Sequence, residues 1–315
     1  TKIKKSDIVL DIASNDGTLL NCYSPKITKI GIDPLVKKYI NNYKNVKYKY
    51  SSFFRKKLLS KTIVNRKIKI ITALSVFYDL KKPNIFLKEI SSIINENDGI
   101  LILEHADLLS IIKNNLFDTI CHEHLAYYSV HIINDMCKKN NLRIFDLEKN
   151  NINGGSTRFY ICHKFARYQE NDKNIKNFLK IETKYKIDER TTYIHFYKKI
   201  NTIKRKLRNL LLKIKKKGKE IHGYGASTKG NLLLQYFELR NDIISKIADR
   251  NPNKAGCYSP GLKIPIVTEE ASRAEKPEYY LVLPWHFKEE ILKRERNMLR
   301  NKIKFIFPLP NLKIY

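Results

Sequence analysis

Two histidines flank a glutamate in a segment that also carries two tyrosines. His122, Glu123 and His124 are consecutive, and Tyr127 and Tyr128 follow closely. Histidine has an unperturbed pKa near neutrality, and an adjacent carboxylate can orient its ring and stabilise its charged form. The triplet therefore indicates proton transfer. Two other interpretations stay open: a zinc site, for which two histidines at this spacing without a cysteine partner are poor geometry, and histidines that only hydrogen-bond the loop.

A turn of small residues is the second chemical feature, and it runs from Asp11 to Gly17 between a predicted strand and a predicted helix. Such a turn lets backbone amides approach a ligand, and a carboxylate at the strand end can hold an ammonium group. Asp33 lies 22 residues after Asp11, at the end of the second predicted strand. There its carboxylate could accept hydrogen bonds from both hydroxyls of a ligand's ribose. S-adenosylmethionine carries both an ammonium group and a ribose. We predict this cofactor, bound by Asp11, Ala13, Ser14, Asn15, Gly17 and Asp33, with Ala73 and Leu74 after the fourth predicted strand.

Two alternatives to this cofactor loop remain. A nicotinamide dinucleotide would use a similar acidic residue, but its fingerprint has three glycines and this loop has only Gly17. In a purely structural interpretation, Asp11 caps a turn and Asp33 begins a helix ahead of Pro34.

The elements that would position these residues alternate between strand-length apolar runs and helical patterns, which is typical of a parallel sheet covered on both faces. Pro83 begins a predicted helix with an apolar stripe, and others lie near Leu108 to Lys113 and Val130 to Asn140. The seven predicted strands match an α/β, Rossmann-like class I methyltransferase core: Ile8 to Ile12, Lys29 to Ile32, Val46 to Tyr50, Ile68 to Thr72, Gly99 to Leu103, Leu142 to Leu147 and Ser156 to His163.

The remainder of the chain predicts a helical linker followed by a second, smaller Rossmann-like α/β unit. Apolar residues at helical spacing within a highly charged stretch, Tyr168 to Lys217, indicate one or two long helices. Further strands are predicted at Glu220 to Gly223, Ile243 to Ala248, Tyr279 to Pro284 and Ile303 to Phe307, with a helix near Phe287 to Arg300. We therefore expect domains at residues 1–166 and 218–315, with the linker at 167–217.

A glycine-rich turn, Gly223 to Gly230, opens a helix of this second unit. Backbone amides at a helix start suit phosphate, and Lys229 adds positive charge. Close packing of a strand against a helix, with no ligand, would also explain the glycines.

The net charge of +30 invites a nucleic-acid interpretation. However, lysine, asparagine and isoleucine are abundant throughout, and the basic residues form no arginine-rich arm or aromatic platform. A polyanionic small molecule, such as a nucleotide-linked one, is the better predicted substrate.

The cysteines and the apolar runs argue against a metal site and a membrane segment. The five cysteines are far apart without a CxxC pair, so we expect free thiols and no metal. The apolar runs are far shorter than a membrane-spanning helix requires, and no leader is visible, which favours a cytoplasmic location. A start at Thr1 rather than Met suggests a missing upstream piece.

The two chemical segments resemble motifs of the nucleotide-sugar C-methyltransferase family. The first loop is similar to the family's DIGSNDGTLL, with Ala13 at the first glycine. The second resembles the active-site motif in which the histidine that closes an xEH element acts as the base, which implies His124 as base and Glu123 as its acidic neighbour. Cys121 stands where some members have tyrosine, and Asp79 where some have histidine.

The resemblance covers nearly the whole chain. Further matching motifs are Asn153 to Arg158, Gly223 to Gly230, Asp249 to Pro252 with Pro260 and Gly261, and Leu283 to Trp285. The family also has a cysteine-rich, zinc-binding N-terminal domain that this sequence lacks, so we expect a fragment.

The resemblance implies a metal-free transfer of a methyl group to the carbon beside the ketone of a nucleoside-diphosphate keto-deoxysugar. The implied substrate-binding residues are Cys121, Tyr127, Tyr128, Asp79, Gly223, Gly225, Lys229 and Arg250. An O- or N-methyltransferase, a non-catalytic nucleotide-sugar-binding protein and, least favoured, a nucleic-acid methyltransferase remain alternatives.

Overall fold

A computed structural model describes residues 2–63 and 67–315. The chain divides into two compact units, each with its own sheet. The first comprises Thr1–Leu109 and Glu123–Lys186, and the second comprises Ser110–His122 and Ile187–Tyr315. The proposed triplet of His122, Glu123 and His124 therefore begins in the second unit and ends in the first.

Seven strands of the described chain form the first sheet, in the order β3-β2-β1-β4-β5-β7-β6. β7 is antiparallel to β5 and β6, and the other pairs are parallel. This arrangement confirms the predicted class I methyltransferase core. The strands are β1 (Ile8–Ile12), β2 (Thr28–Ile32), β3 (Tyr48–Tyr50), β4 (Ile70–Leu74), β5 (Ile100–Ala106), β6 (Leu142–Asn150) and β7 (Ser156–His163).

Helices cover this sheet with apolar faces. Pro83 occupies the first turn of α2, where its missing N–H costs nothing, and the buried stripe of this helix includes Phe86 and Ile90. Ser129 caps α4 by accepting the N–H of Ile132. The helices of the first unit are α1 (Thr18–Asn21), α2 (Pro83–Ile93), α4 (Val130–Lys139) and α5 (Asp172–Tyr185), and most of α3 (Leu108–Lys113) belongs to the second unit.

In the described chain, the second sheet has six strands in the order β10-β9-β8-β11-β12-β13, with β13 antiparallel to β12. These strands are β8 (Ile221–Tyr224), β9 (Ile247–Asp249), β10 (Ile266–Thr268), β11 (Tyr279–Val282), β12 (Lys304–Phe307) and β13 (Lys313–Ile314). Its helices are α6 (Arg190–Lys216), α7 (Thr228–Tyr236), α8 (Glu269–Ala274), α9 (Lys288–Arg294) and α10 (Arg296–Arg300). The prediction of a second, smaller α/β unit after long helices is confirmed.

Element boundaries differ from the sequence-based expectation in several places. The predicted helix from Phe287 to Arg300 is two helices, separated at Glu295. This carboxylate is only 3% exposed and accepts hydrogen bonds from Tyr224 and Arg273, so tertiary contacts override helical periodicity there. β10, α8 and β13 were not predicted, because two to six residues are too few to show a period.

The longest helix, α6, buries one stripe of apolar residues that includes Ile200, Leu207 and Ile214, as the spacing predicts. In the part of the chain that the structure describes, no helix is both long and apolar enough to span a membrane.

Candidate active site

The turn after β1 is fixed to the end of β2 by hydrogen bonds. The N–H groups of Ala13 and Ser14 donate to the carbonyl of Ile32, at 2.9 and 3.3 Å. The N–H of Asn15 donates to Oδ2 of Asp33 at 3.1 Å, and Oδ1 of Asp33 accepts the N–H of Leu35 at 2.7 Å. Asp33 therefore shapes the turn that the sequence assigned to the cofactor.

Tyr43 is a second support for this turn, and sequence reasoning missed it. Its hydroxyl donates to the carbonyl of Asn15 at 2.7 Å and lies 2.9 Å from Oγ of Ser14. A side chain at Gly17, whose φ is +79°, would lie 3.0 Å from the Tyr43 ring, so this position requires glycine. Tyr43 belongs to no predicted strand or helix, so no periodic signal marked it.

Ala13 adopts a left-handed backbone conformation, with φ of +60°. This is the position at which the family motif has glycine, the residue that adopts this conformation without steric cost. The family's glycine therefore has a backbone reason, and Ala13 retains the conformation at some cost in strain.

Asp11 lies at the end of β1 and is only 4% exposed. It accepts a hydrogen bond from the Thr72 hydroxyl in neighbouring β4. Burial raises the pKa of Asp11 to about 6; the Thr72 hydrogen bond opposes this shift and the charge of Asp33 adds to it. The following β4 residues, Ala73 and Leu74, lie at the same carboxyl edge of the sheet, beside the turn.

Tyr78 holds the second chemical segment at this edge, just after β4. Its carbonyl accepts the N–H groups of Leu125 and Ala126, at 3.0 and 3.2 Å. Its ring centroid lies 4.3 Å from that of His124, and the Tyr127 ring lies 6.3 Å from His124 on centroids. The predicted base is thus half-buried beside two tyrosines. Tyr78 was missed because a single tyrosine after a strand carries no motif.

Asp79 and Glu123 are close enough to interact electrostatically. Burial and, to a smaller extent, the negative charge of Glu123 raise the pKa of Asp79 to about 6. Glu123 itself is exposed. The turn after β4 and the triplet thus place Asp79, Glu123 and His124 in one neighbourhood of the first unit.

Tyr128 lies in the hydrophobic core of the first unit. It is 8% exposed, and its ring centroid lies 5.1 Å from Phe77 and 5.9 Å from His105. Burial raises its pKa. The two adjacent tyrosines of the motif therefore have different surroundings, because Tyr127 lies beside His124.

The glycines of the turn after β8 are explained by backbone conformation and close packing. Gly225 has a φ of +83°, and a Cβ there would lie 2.8 Å from Pro284. A Cβ at Gly230 would lie 2.6 Å from Leu283, and one at Gly223 would lie 3.1 Å from Ile247. Packing alone thus accounts for these residue types, so the case for a ligand here depends on charge.

Charged side chains surround this turn. Asp249 accepts the N–H groups of Ala226 and Asn251, at 2.7 and 2.8 Å, and pairs with Lys254 at 3.3 Å. Burial lowers the pKa of Lys229, whereas the nearby charge of Asp118 raises it. Arg250 is exposed next to Asp249. Cys121, in the same unit, also interacts electrostatically with Lys229.

Within residues 2–63 and 67–315, no cluster of three or more His, Cys, Asp or Glu side chains is arranged to hold a metal ion.

Two family models match the chain in succession. A methyltransferase domain matches residues 1–147, and the C-methyltransferase C-terminal domain matches residues 151–310, which is half of the chain. C-methyltransferase NovU of Streptomyces niveus is 31% identical over 217 residues, covering 69% of this chain and 51% of NovU. The chain thus spans about half the length of this curated relative.

Solved structures are similar at a lower level. PKMT2 of Rickettsia typhi, solved with AdoHcy, has a TM-score of 0.41 and 15% identity, covering 54% of this chain and 51% of that one. The YcgJ protein of Bacillus subtilis has a TM-score of 0.36 and 14% identity, covering 51% and 91%. These TM-scores and identities give no ground for assigning the functions of these proteins to this chain. From the family models, the chain belongs to the C-methyltransferase family and carries its S-adenosylmethionine-dependent methyltransferase domain together with its C-terminal domain.

Proposed function

We propose that the protein transfers a methyl group from S-adenosylmethionine to a carbon alpha to the ketone of a nucleotide-linked keto-deoxysugar. Family membership supports C-methylation, and the nucleotide sugar follows from the motif resemblance. The observation that carries the proposal is the position of His124, which lies beside Tyr78 and Tyr127 at the carboxyl edge that also bears the Asp11 turn.

The residues of the β1 turn fit this cofactor. The buried carboxylate of Asp11 would bind the ammonium of the methionine portion, because a cationic partner stabilises its ionised form. Each oxygen of Asp33 uses one lone pair on a backbone N–H and retains capacity for ribose hydroxyls. Ala13, Ser14, Asn15 and Gly17 would provide the close backbone surface. Ala73 and Leu74 would border the site at the adjacent strand.

The cofactor supplies an electrophilic methyl group, and the protein must supply a carbon nucleophile. A carbon next to a ketone becomes nucleophilic when it loses a proton, so His124 would remove that proton as general base. Glu123 would stabilise the charged imidazole. Its negative charge would also favour the protonated form of Asp79, because it raises the pKa of that carboxyl. Within the first unit, Tyr127 and Asp79 would contact the sugar, whereas Tyr128 lies in the hydrophobic core and would support them from there.

The second unit would hold the nucleotide diphosphate. Lys229 provides positive charge at the first turn of α7, where the helix dipole also favours an anion. Gly223 and Gly225 keep this turn narrow, and the exposed side chain of Arg250 would add a further cationic contact. Some of the turn's amides are already used internally, so we assign most of the anion affinity to Lys229 and the helix start.

The test is mass spectrometry of the full chain with S-adenosylmethionine and keto-deoxyhexoses linked to thymidine, uridine, guanosine or cytidine diphosphate. We expect one sugar to gain a methyl group on carbon, with release of S-adenosylhomocysteine. A methyl group on oxygen or nitrogen would favour the alternative transferases. Absence of S-adenosylhomocysteine with every sugar would favour a binding protein.

Replacing the base tests the mechanism directly. His124→Asn is expected to lower kcat at least about a hundredfold, because general-base catalysis is worth that much, while S-adenosylmethionine binding measured by calorimetry stays unchanged. His131→Asn is the matched control, because His131 is exposed on α4 and pairs only with Asp135 in the described residues. Retained turnover in His124→Asn would remove this histidine from the mechanism.

A further inference from the structure

The segment Ser110–His122 follows β5 of the first sheet in sequence, yet it packs in the second unit. The Phe117 ring stacks on Phe237 with centroids 5.0 Å apart. The side-chain amide of Asn115 donates to the carbonyl of Pro310 at 2.8 Å. The residues that lead into the proposed proton-transfer triplet are therefore fixed by residues of the C-terminal half of the chain.

A buried hydrogen bond among these attachments joins Asp118 to Trp285. The indole N–H of Trp285 donates to Oδ2 of Asp118 at 2.7 Å, across 167 residues of sequence. Asp118 is 1% exposed and Trp285 is 5% exposed, so water does not compete for this hydrogen bond.

Charge strengthens the same attachment. Burial raises the pKa of Asp118, while the charge of Lys229 and the Trp285 hydrogen bond lower it. Lys229 shows the reciprocal effect, since burial lowers its pKa and Asp118 raises it. A buried charge that loses its counter-charge is costly, so these groups depend on one another.

The attachment lies four residues before the triplet begins. On the other side of the triplet, the N–H groups of Leu125 and Ala126 are held by the carbonyl of Tyr78. Each side of the triplet is thus fixed within its own unit, by Trp285 in the second and by Tyr78 in the first. A general base must be placed to within about 1 Å, because larger errors cost roughly a hundredfold in rate.

We infer that Asp118 and Trp285 are positioning residues for the triplet His122, Glu123 and His124: their buried hydrogen bond fixes the backbone that enters it. Neither residue touches the reacting atoms. The inference rests on the proposed role of His124 as base.

The test compares Asp118→Ala, Trp285→Phe and the double variant in the full chain, with S-adenosylmethionine and the sugar that the wild type methylates. Each single change is expected to lower kcat at least tenfold while the Kd for S-adenosylmethionine stays within twofold. The double variant should be no slower than the slower single variant, because both changes break the same bond. Asp118→Asn keeps an oxygen that accepts the indole N–H, so it should recover most of kcat.

Ser272→Ala is the matched control, because it also removes buried hydrogen bonds in the second unit, those with His222 and Tyr280. It should lower the Tm without changing kcat. An additive double variant, or an equal loss of kcat in Ser272→Ala, would reduce Asp118 and Trp285 to structural residues and overturn the inference.

Amide hydrogen exchange separates this inference from the proposed function. Residues 119–124 should exchange faster in Asp118→Ala and Trp285→Phe than in the wild type or in Ser272→Ala, whether or not any sugar is methylated. Unchanged exchange in this segment would overturn the inference even if the enzyme proves active. A wild type that methylates no sugar would instead refute the proposed function, while faster exchange in the variants would still support the attachment.

Discussion

The turns after β1 and β8 share one backbone device. In each, an aspartate lies at or just after the end of the neighbouring strand. One of its carboxylate oxygens accepts a hydrogen bond from an N–H of the turn. The other accepts a hydrogen bond from the N–H of the residue two positions after the aspartate. Asp33 does so for Asn15 and Leu35, and Asp249 does so for Ala226 and Asn251. Both turns also contain a glycine with positive φ, Gly17 or Gly225.

The two turns differ in the charges around this common device. Within the described residues, no lysine or arginine pairs with Asp33 or with the buried Asp11 beside it. Asp249 instead pairs with Lys254, and Lys229 adds a cation at the start of α7. The charge around the first turn therefore matches the proposed cationic cofactor, and the charge around the second matches the proposed nucleotide diphosphate.

Among the substitutions that test this difference between the turns, Asp11→Asn is expected to have the largest effect. If Asp11 binds the ammonium of S-adenosylmethionine, loss of its charge should cost about 2 kcal/mol, roughly 30-fold in Kd by calorimetry. The Tm at pH 7 should be equal or higher, because burial raises the pKa of this carboxyl and its ionised form is unfavourable in the folded protein. An unchanged Kd would remove the charge contrast between the turns.

The same group predicts a pH dependence. Because the pKa of Asp11 is about 6 in the free protein, the carboxyl is protonated below that pH, and ligand binding there must release the proton. The affinity for S-adenosylmethionine should therefore fall about tenfold between pH 7 and pH 5. Asp11→Asn should abolish this dependence. Asp79→Asn should retain it, although burial and Glu123 also raise the pKa of Asp79 to about 6.

A smaller effect is expected in the second unit from Lys229→Ala. It should raise KM for the nucleotide sugar about tenfold, the value of one charge-assisted contact to phosphate, with no change in S-adenosylmethionine affinity. It should also lower kcat, because Lys229 is the counter-charge of the buried Asp118. Lys254→Ala is the matched control, because its ammonium pairs with Asp249 and the carbonyl of Ala226. Equal effects of the two substitutions would assign the anion affinity to general positive charge rather than to Lys229.

Ala13→Gly is expected to have the smallest effect, because it changes only the backbone strain at this position and hence the free energy of unfolding. Glycine would relieve about 1 kcal/mol of left-handed strain but lose about 0.5 kcal/mol to unfolded-state entropy. The free energy of unfolding in urea should therefore be unchanged or slightly higher. Ala73→Gly, in the buried strand β4, should lower it by about 1 kcal/mol. Equal destabilisation by both substitutions would mean that Ala13 carries no strain.

Local patterns predicted most of the fold. β1, β7 and α3 have their predicted ends, and the Pro83 helix begins where predicted, because period, proline and turn residues act over a few positions. Failures occurred where long-range contacts decide, as in the break at Glu295, and where an element such as β10 is too short to show a period.

The sequence by itself determined the α/β class, the family and the identity of the candidate site residues, because these depend on residue type and local spacing. Only the tertiary structure decided which residues support them. Tyr43 against Gly17, Tyr78 beside His124 and Trp285 on Asp118 each join positions far apart in the chain. Such contacts depend on how buried side chains pack, which no local period encodes.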